Sequence, residues 1–239
     1  MQSKRVIEAV VLGAFLCAGL VSVGFLISNG ALKIKSMDRT VTVKGLSERE
    51  IPANIAIWPI RFSEADNDLT RLYSVIQEKT DIIVEFLKTN GFGEDEISIS
   101  QPAILDRQAQ AYANSDRIKF RYSANSTISV YTGNVDAVRE TIKKVVDLGK
   151  RGIAIAGQDY QAKTQFLFTK LNDIKPGMIE EATKNAREVA EKFAKDSNSK
   201  LGKIKKARQG QFSINDRDSN TPYIKKVRVV STLEYYLAD

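Results

Sequence analysis

The sequence contains no histidine, and its single cysteine, Cys17, lies inside a long apolar run near the N-terminus. The absence of histidine excludes Ser-His-Asp and Cys-His nucleophilic sites, because their general base is missing. Zinc sites and most redox-metal sites lose their usual nitrogen ligand, and one thiol in an apolar segment cannot replace it. No disulfide can form within residues 36–239. We therefore predict no metal site and no cofactor.

The sequence also lacks a phosphate-binding loop. Gly91-Phe92-Gly93 follows a predicted helix and precedes a predicted strand, the reverse of the order in dinucleotide sites. The acidic groups Glu94-Asp95-Glu96 and Glu180-Glu181 stand beside a turn and at a helix start, which is typical of surface and capping roles. A glycosidase-like pair needs two carboxyls ~5–10 Å apart, a distance that a sequence does not show. We expect a protein that is not an enzyme.

A strong charge of one sign is absent from the part that follows the apolar run. Residues 1–35 hold four of the 36 bases and one of the 29 acids, which leaves 32 bases and 28 acids, or a net charge of +4. A mild excess spread over a sequence of mixed sign is a weak indication of nucleic-acid binding. We predict no nucleic-acid partner, and we identify no small-molecule substrate.

What is present is an uninterrupted apolar run from Ala9 to Ile27 behind the basic pair Lys4-Arg5. As a helix, residues 6–27 would span ~33 Å, enough to cross a hydrocarbon core of ~30 Å. This predicts a membrane anchor with short basic flanks in residues 1–35. A cleaved secretory signal is the alternative, although its apolar stretch is normally shorter.

Two further features of this segment bear on its processing. Ser28-Asn29-Gly30 could serve as a cleavage site for the secretory-signal alternative. A lipoprotein signal is rejected, because Phe15 and Leu16 precede Cys17 where small residues are needed.

The charges on either side of the anchor give opposing indications of its orientation. Lys4 and Arg5 favour a cytoplasmic N-terminus, but Lys33, Lys35 and Arg39 follow on the other side. Large folded domains often translocate despite nearby charge. We therefore expect a single-pass protein of the inner (cytoplasmic) membrane, with its C-terminal domain in the periplasm or outside the cell.

The order of apolar patterns after the anchor predicts an α+β fold with mostly antiparallel sheets and about three packed helices. Helices do not follow every strand, which disfavours a doubly wound parallel sheet. The predicted helices are 69–90, 135–148 and about 176–198, and the predicted strands are 40–45, 55–62, 97–99, 119–132, 153–156, 164–170, 204–214 and 225–237. We expect residues 36–239 to form one large α+β domain, or two sub-domains that meet near residues 150–175.

Four local features carry more specific predictions. Pro59 cannot donate a ladder hydrogen bond and indicates an edge position or a bulge. Asn134 is expected to cap the second helix, and Gly149 is expected to end it in a left-handed conformation. The many alanines of the third helix imply a close approach to a sheet. The polar residues 105–118 predict either a hairpin loop or a contact surface.

Six stretches are considered together: Val41-Thr42-Val43-Lys44-Gly45, Pro52 to Ala56, Leu87 to Ile99, Tyr122 to Val130, Glu181 to Ala194, and Leu201-Gly202-Lys203-Ile204. In their order and spacing they resemble the SIMPL-domain family of bacterial envelope proteins, a domain of unknown function, over about residues 40–237. The resemblance implies an export signal or single anchor, an α+β fold and a tendency to form homo-oligomers. It supplies no catalytic residue and no cofactor. Residues 158–176 depart from shorter members of the family.

Self-assembly is the first functional hypothesis. It describes a membrane-anchored extracytoplasmic protein that forms a homo-oligomeric scaffold, cage or pore-like assembly. The long last strand, Lys225 to Leu237, would offer an edge for strand addition between subunits. The alternative for that strand is an interior position in the sheet of the monomer.

The second hypothesis is a binding module for an acidic envelope component or an anionic lipid surface. Clustered cations would attract such a surface at ~1 kcal/mol per charge. The candidate binding residues are Lys203, Lys205, Lys206, Arg208, Lys225, Lys226 and Arg228.

Overall fold

The computed structural model describes residues 2–36, 39–109, 119–155 and 163–238. The elements of the first half are α1 (Gln2–Ser36), β1 (Thr40–Pro52), β2 (Ile55–Asp66), α2 (Leu69–Thr89), β3 (Ile97–Ile99), β4 (Ala103–Asp106) and β5 (Tyr122–Thr132). Those of the second half are α3 (Val135–Lys143), α4 (Val146–Lys150), β6 (Gln165–Leu167), α5 (Leu171–Asp196), β7 (Lys200–Gln209), β8 (Ser213–Asp216) and β9 (Ile224–Ala238).

The chain divides into two compact units. Unit 1 contains residues 1–48, 175–212 and 228–239, and unit 2 contains residues 49–174 and 213–227. Antiparallel strand pairs and packed helices occur in the chain together, and an apolar helix precedes them. The predicted α+β fold with an N-terminal apolar helix is confirmed.

Helix α1 contains the segment Val11–Gly30, whose 20 residues have a mean hydropathy of 2.3. None of this segment is buried, so it is not a core helix of the folded part. It is long and apolar enough to cross a membrane as a single pass. A secretory signal near the N-terminus would share these properties.

Unit 1 is built from a sheet in the order β1-β9-β7 and from helix α5, which packs on one of its faces. The buried face of α5 is a stripe of alanines at every fourth position, Ala182, Ala186, Ala190 and Ala194. Opposite them, Gly45 lies so close to α5 that an added Cβ would stand 1.8 Å from the Ala182 carbonyl oxygen. The close helix-on-sheet approach predicted from the alanines is confirmed.

Strand β9 lies between β1 and β7 and is not an edge of its sheet. The edge position considered for the last strand is therefore wrong, and the interior alternative is confirmed. The physical reason is that β9 forms backbone hydrogen bonds with a strand on each side, β1 on one and β7, from Lys200 to Gln209, on the other. The exposed edge strand β7 carries several lysines and two register shifts, features that discourage edge-to-edge pairing.

Unit 2 contains a sheet in the order β3-β5-β2-β6, with β4 also paired to β5. Strand β2 pairs antiparallel with β5 from Ala56 to Asp66. The even-numbered residues of β2 and β5 join side chains from α2, α3 and α4 in one core. All three helices therefore pack on the same face of the sheet.

Helix α2 follows its sequence signals closely. The Asp68 carboxylate accepts hydrogen bonds from the backbone nitrogens of Thr70 and Arg71, and the helix ends at Thr89. Gly91 then adopts a φ of 93°, the left-handed conformation that glycine tolerates without a Cβ penalty. The predicted bounds of this helix are confirmed.

The second predicted helix differs from its expectation. Its Asn134 cap is confirmed by a bond from the Ala137 backbone nitrogen, but the helix divides into α3 and α4. Gly149 lies inside α4, and the left-handed glycine is Gly152, with φ 78°. The predicted stop at Gly149 is wrong, because α4 continues to Lys150 and the left-handed glycine follows two positions later.

Several predicted strands are shorter or divided. The structure shows β6 within the predicted 164–170 strand, and it divides the 204–214 strand into β7 and β8. Ile155 forms only an isolated bridge with Phe62. Pro59 lies in β2, which is an interior strand between β5 and β6. Because β6 pairs only with residues 55–57 of β2, Pro59 has a strand partner on the β5 side and lies beyond the end of the β6 pairing. Residues 110–118 of the polar excursion and 156–162 lie outside the described residues.

Candidate interaction surfaces

The cations identified from the sequence are divided between the two units. Arg228 and the four β7 residues belong to unit 1, and Lys225 and Lys226 belong to unit 2. The β7 residues are Lys203, Lys205, Lys206 and Arg208.

Lys225 is turned into unit 2 and is neutralised there. Its side chain belongs to a residue that is only 8% exposed, and its Nζ donates a hydrogen bond to the Asp216 carboxylate. Binding of this ammonium group to an external ligand would break its ion pair with Asp216, and breaking the ion pair of a buried charge is costly. Its neighbour Lys226 is half-buried and already has an interaction of its own. Lys225 therefore does not belong to a solvent-facing binding set.

The unit 1 sheet presents cations and hydroxyls on the face opposite α5, which we call the unit 1 outer face. Lys206 lies opposite Glu234, and Arg208 lies opposite Thr232, across the β7–β9 pair. Together with Thr42 of β1 they line a shallow groove of about 150 Å³. Within the described residues, neither Lys206 nor Arg208 forms an ion pair. The Lys206 ammonium and the Arg208 guanidinium can therefore donate charge-assisted hydrogen bonds to phosphate or carboxylate oxygens of a ligand in this groove.

Lys205 is the extra residue of a register shift in β7 and is held by β9. Its Nζ lies 3.7 Å from a Glu234 carboxylate oxygen and 5.4 Å from the centre of the Tyr236 ring. A lysine above an aromatic ring gains a cation–π attraction. Lys205 is therefore engaged within the sheet, whereas Lys203 and Arg228 are exposed.

The acidic groups near residue 95 have the structural roles expected of them. A Glu96 carboxylate oxygen accepts a hydrogen bond from the Gly93 backbone nitrogen at 2.9 Å, and Glu94 pairs with Lys88. The hydrogen bond from Lys88 is the largest of the causes that lower the pKa of Glu94. Among the residues that the structure describes, no group of three His, Cys, Asp or Glu side chains could hold a metal ion.

A family model described as SIMPL, protein of unknown function (DUF541), matches residues 41–232. The chain belongs to the SIMPL family. The matched range covers β1 to most of β9 and leaves out α1. The SIMPL assignment supports the fold and names no activity, because the family is described as one of unknown function. A comparison with curated proteins gave no match.

Two further surfaces of this SIMPL protein were not predicted from the sequence. The first is the face of the unit 2 sheet opposite α2, α3 and α4, formed by odd-numbered residues of β2 and β5, which we call the unit 2 outer face. The second is the end of unit 1 at which β1 begins and β9 ends. The alternation of apolar and polar residues was a usable signal for the first, because it assigns Ser123 to Tyr131 to two opposite faces.

Proposed function

We propose that the chain is a membrane-anchored protein whose extracytoplasmic domain forms a homo-oligomer through the unit 2 outer face. The observation that carries the proposal is the lack of charge on this face along β5. Its successive outward positions are Ser123, Asn125, Thr127, Ser129 and Tyr131.

The neighbouring positions on β2 extend the same surface. Ile57 lies opposite Tyr131, Pro59 opposite Ser129, and Arg61 opposite Thr127. Tyr131 is 56% exposed. Tyrosine and arginine are enriched at protein interfaces, and lysine, glutamate and aspartate are depleted at their centres. The composition of this face therefore fits a surface that a second copy covers.

The unit 1 outer face provides a comparison within the same chain. Its outward positions include Lys206, Arg208 and Glu234, the charged residues expected on a sheet face that stays in water. The two sheets thus differ in the side chains of the face that no helix covers: charged residues on β7 and β9 in unit 1, and uncharged residues along β5 in unit 2. The uncharged side chains of β5 allow another copy to approach that strand without stripping water from a charge, and Arg61 on β2 is the one charged residue of the face.

The anchor sets the location of the assembly. With α1 in the inner membrane and the folded units in the periplasm, every subunit would hold its anchor on the same side of the oligomer. Cyclic symmetry satisfies this requirement directly, because its axis can stand perpendicular to the membrane. A scaffold, cage or pore-like assembly is consistent with that arrangement.

The mass of the detergent-extracted full-length chain tests the proposal. Light scattering corrected for bound detergent is expected to give a multiple of 26.6 kDa. Thr127→Lys adds a second positive charge opposite Arg61 at the centre of the unit 2 outer face and should lower the mass. Ser74→Lys, on the exposed surface of α2, is the matched control and should not. A monomer for the wild-type chain would contradict the proposal.

A second candidate function is binding of an anionic envelope component at the groove of the unit 1 outer face. Lys206 and Arg208 support it, because both are exposed and no ion pair occupies them within the described residues. The variant Lys206→Glu/Arg208→Glu should abolish salt-dependent binding of vesicles or polyanions. Lys184→Glu/Arg187→Glu on exposed α5 is the control with the same change of net charge.

A further inference from the structure

One end of unit 1 joins the start of β1, the C-terminal end of α5, the start of β7 and the end of β9. The Leu237 backbone nitrogen donates to the Arg39 carbonyl oxygen at 2.8 Å, and Arg39 Nη2 donates to Ser199 Oγ at 3.1 Å. The Ser199 backbone nitrogen in turn donates to the Ala194 carbonyl oxygen at 2.8 Å. We call this region, with residues 39–40, 192–205 and 236–238, the anchor-proximal end.

The covalent chain holds this end near the membrane span. Helix α1 continues from Gly30, the last residue of the apolar segment, to Ser36. Six helical residues rise ~9 Å, and the three residues from Ser36 to Arg39 reach at most ~10 Å. Whatever the orientation of the unit, Arg39 therefore lies within ~20 Å of the end of the apolar segment.

The same end carries exposed apolar side chains on three different elements. Phe193 of α5 is 56% exposed, Ile204 of β7 is 42% exposed and Tyr236 of β9 is 38% exposed. Single exposed apolar residues are ordinary on a protein surface. Three at the end that bears the membrane tether, two of them aromatic, are typical of a surface that meets the lipid headgroup layer.

Lysines lie close in sequence to these apolar side chains, and Lys205 Nζ lies 5.4 Å from the centre of the Tyr236 ring. Between residues 192 and 203 the chain has four exposed lysines against one acid, Asp196. The lysines are Lys192, Lys195, Lys200 and Lys203. Lysine can bury its aliphatic stem along an apolar surface while its ammonium stays in the headgroup region, so the two kinds of side chain act together at a bilayer.

We propose that the anchor-proximal end of unit 1 rests on anionic lipid headgroups of the bilayer that α1 spans. Phe193 and Ile204 enter the interfacial layer, and the four lysines contact lipid phosphates. The tether makes the contact intramolecular, so weak individual attractions suffice to order the unit on the surface. The inference rests on α1 being retained as the anchor and is independent of self-assembly.

Tryptophan quenching by brominated lipids tests this contact in the full-length chain. In Phe193→Trp, reconstituted in nanodiscs of phosphatidylcholine and phosphatidylglycerol, the added tryptophan should be quenched. The native Trp58 is only 5% exposed and serves as the unquenched background. The control is Tyr73→Trp on α2, where the native side chain has a similar exposure of 52%. Quenching of Phe193→Trp that does not exceed that of Tyr73→Trp would overturn the proposal.

Removal of charge provides the second readout. Each lysine replaced by glutamine among Lys192, Lys195 and Lys200 should lower the ratio of docked to free unit about fivefold. The quenching of Phe193→Trp should also fall in nanodiscs of phosphatidylcholine alone, because these carry no anionic headgroups for the lysines to contact. Quenching that persists unchanged in both cases would contradict a contact with anionic lipid. Loss of the chain from the nanodiscs overturns the anchor and this inference together, whereas a monomeric mass contradicts only self-assembly.

Discussion

Replacing Gly45 with alanine tests how closely α5 packs on β1. An ideal Cβ at Gly45 would lie 1.8 Å from the Ala182 carbonyl oxygen and 2.5 Å from the Ala186 backbone nitrogen. Both atoms belong to the helix backbone and cannot rotate away as the end of a flexible side chain can. To restore an ordinary contact, α5 would have to move from the sheet by about 1.5 Å.

A displacement of this size weakens the whole unit 1 core. A gap of 0.5–1 Å already forfeits about a quarter to a half of the dispersion energy of each contact. The affected contacts include those among Val43, Ala186, Ala190 and Leu233. Overpacking a core costs about 1–3 kcal/mol, and a clash with backbone belongs at the upper end. We expect Gly45→Ala to lower the free energy of unfolding of unit 1 by about 3 kcal/mol.

Hydrogen exchange of the full-length chain in micelles measures this loss directly. Amides of α5 between residues 178 and 194 should exchange about 100-fold faster in Gly45→Ala. The control is Gly149→Ala in α4, where an added Cβ meets nothing within 4 Å. That variant should be neutral or stabilising by up to about 1 kcal/mol, the helix propensity difference between the two residues. Protection of α5 in Gly45→Ala within threefold of the wild type would refute the packing argument.

Three other predictions concern unit 2. Asp68→Ala removes the cap of α2 and should cost about 1 kcal/mol in urea unfolding followed by Trp58 emission. The hydrogen bond from the Thr221 hydroxyl is the largest of the causes that lower the pKa of Asp218 to about 2. The ionised Asp218 carboxylate therefore stabilises the turn fully above about pH 4, and this stabilisation is lost as the pH falls through about 2. The amide spectrum of the turn should show this pH dependence, and Asp218→Asn should remove it. Asp216→Ala should cost about 1–3 kcal/mol by leaving the buried Lys225 unpaired, and Lys225→Met should cost less in the same urea assay.

Local signals were enough to predict α2. Its apolar period, the Asp68 cap and the glycine at its end all lie within 25 residues of one another, so no distant contact was needed to place its bounds. Gly149 shows the limit of the same reasoning. Two glycines three residues apart could each end the helix, and packing of Leu148 and Ile153 into the unit 2 core decides between them.

Strand pairing could not be predicted from such signals. β9 is the last strand of the chain, yet it lies between β1 and β7. Nothing in its own sequence distinguishes a terminal edge strand from a central one, because its partner β1 ends at Pro52, about 170 residues before β9 begins at Ile224. The edge prediction for β9 depended only on its position at the end of the chain, and the observed strand order contradicts it.

The sequence of β9 contained a signal that could have excluded Lys225 from the candidate basic site, but grouping the cations by closeness in sequence did not use it. Strand residues alternate between faces, so Lys225 shares its side with Val227 and Val229, which are fully buried. The period of two by itself separates Lys225 from Lys226 and Arg228, because it depends only on their spacing along one strand. The approach of Lys206 and Arg208 to Thr42, in contrast, depends on the order of three strands and could not be deduced.

The two proposed contacts differ in chemistry and therefore in their response to salt. The unit 2 outer face carries no charged residue along β5 and one, Arg61, on β2, so self-association through it should depend less on ionic strength than a contact made by four lysines. The anchor-proximal end depends on lysines facing phosphates, and the Debye length falls from ~10 Å at 0.1 M salt to ~3 Å at 1 M. Raising salt should release unit 1 from an anionic bilayer while leaving the oligomeric mass intact. An oligomeric mass that falls in parallel with the lipid contact would mean that one charged surface serves both associations, and would contradict assembly through the unit 2 outer face.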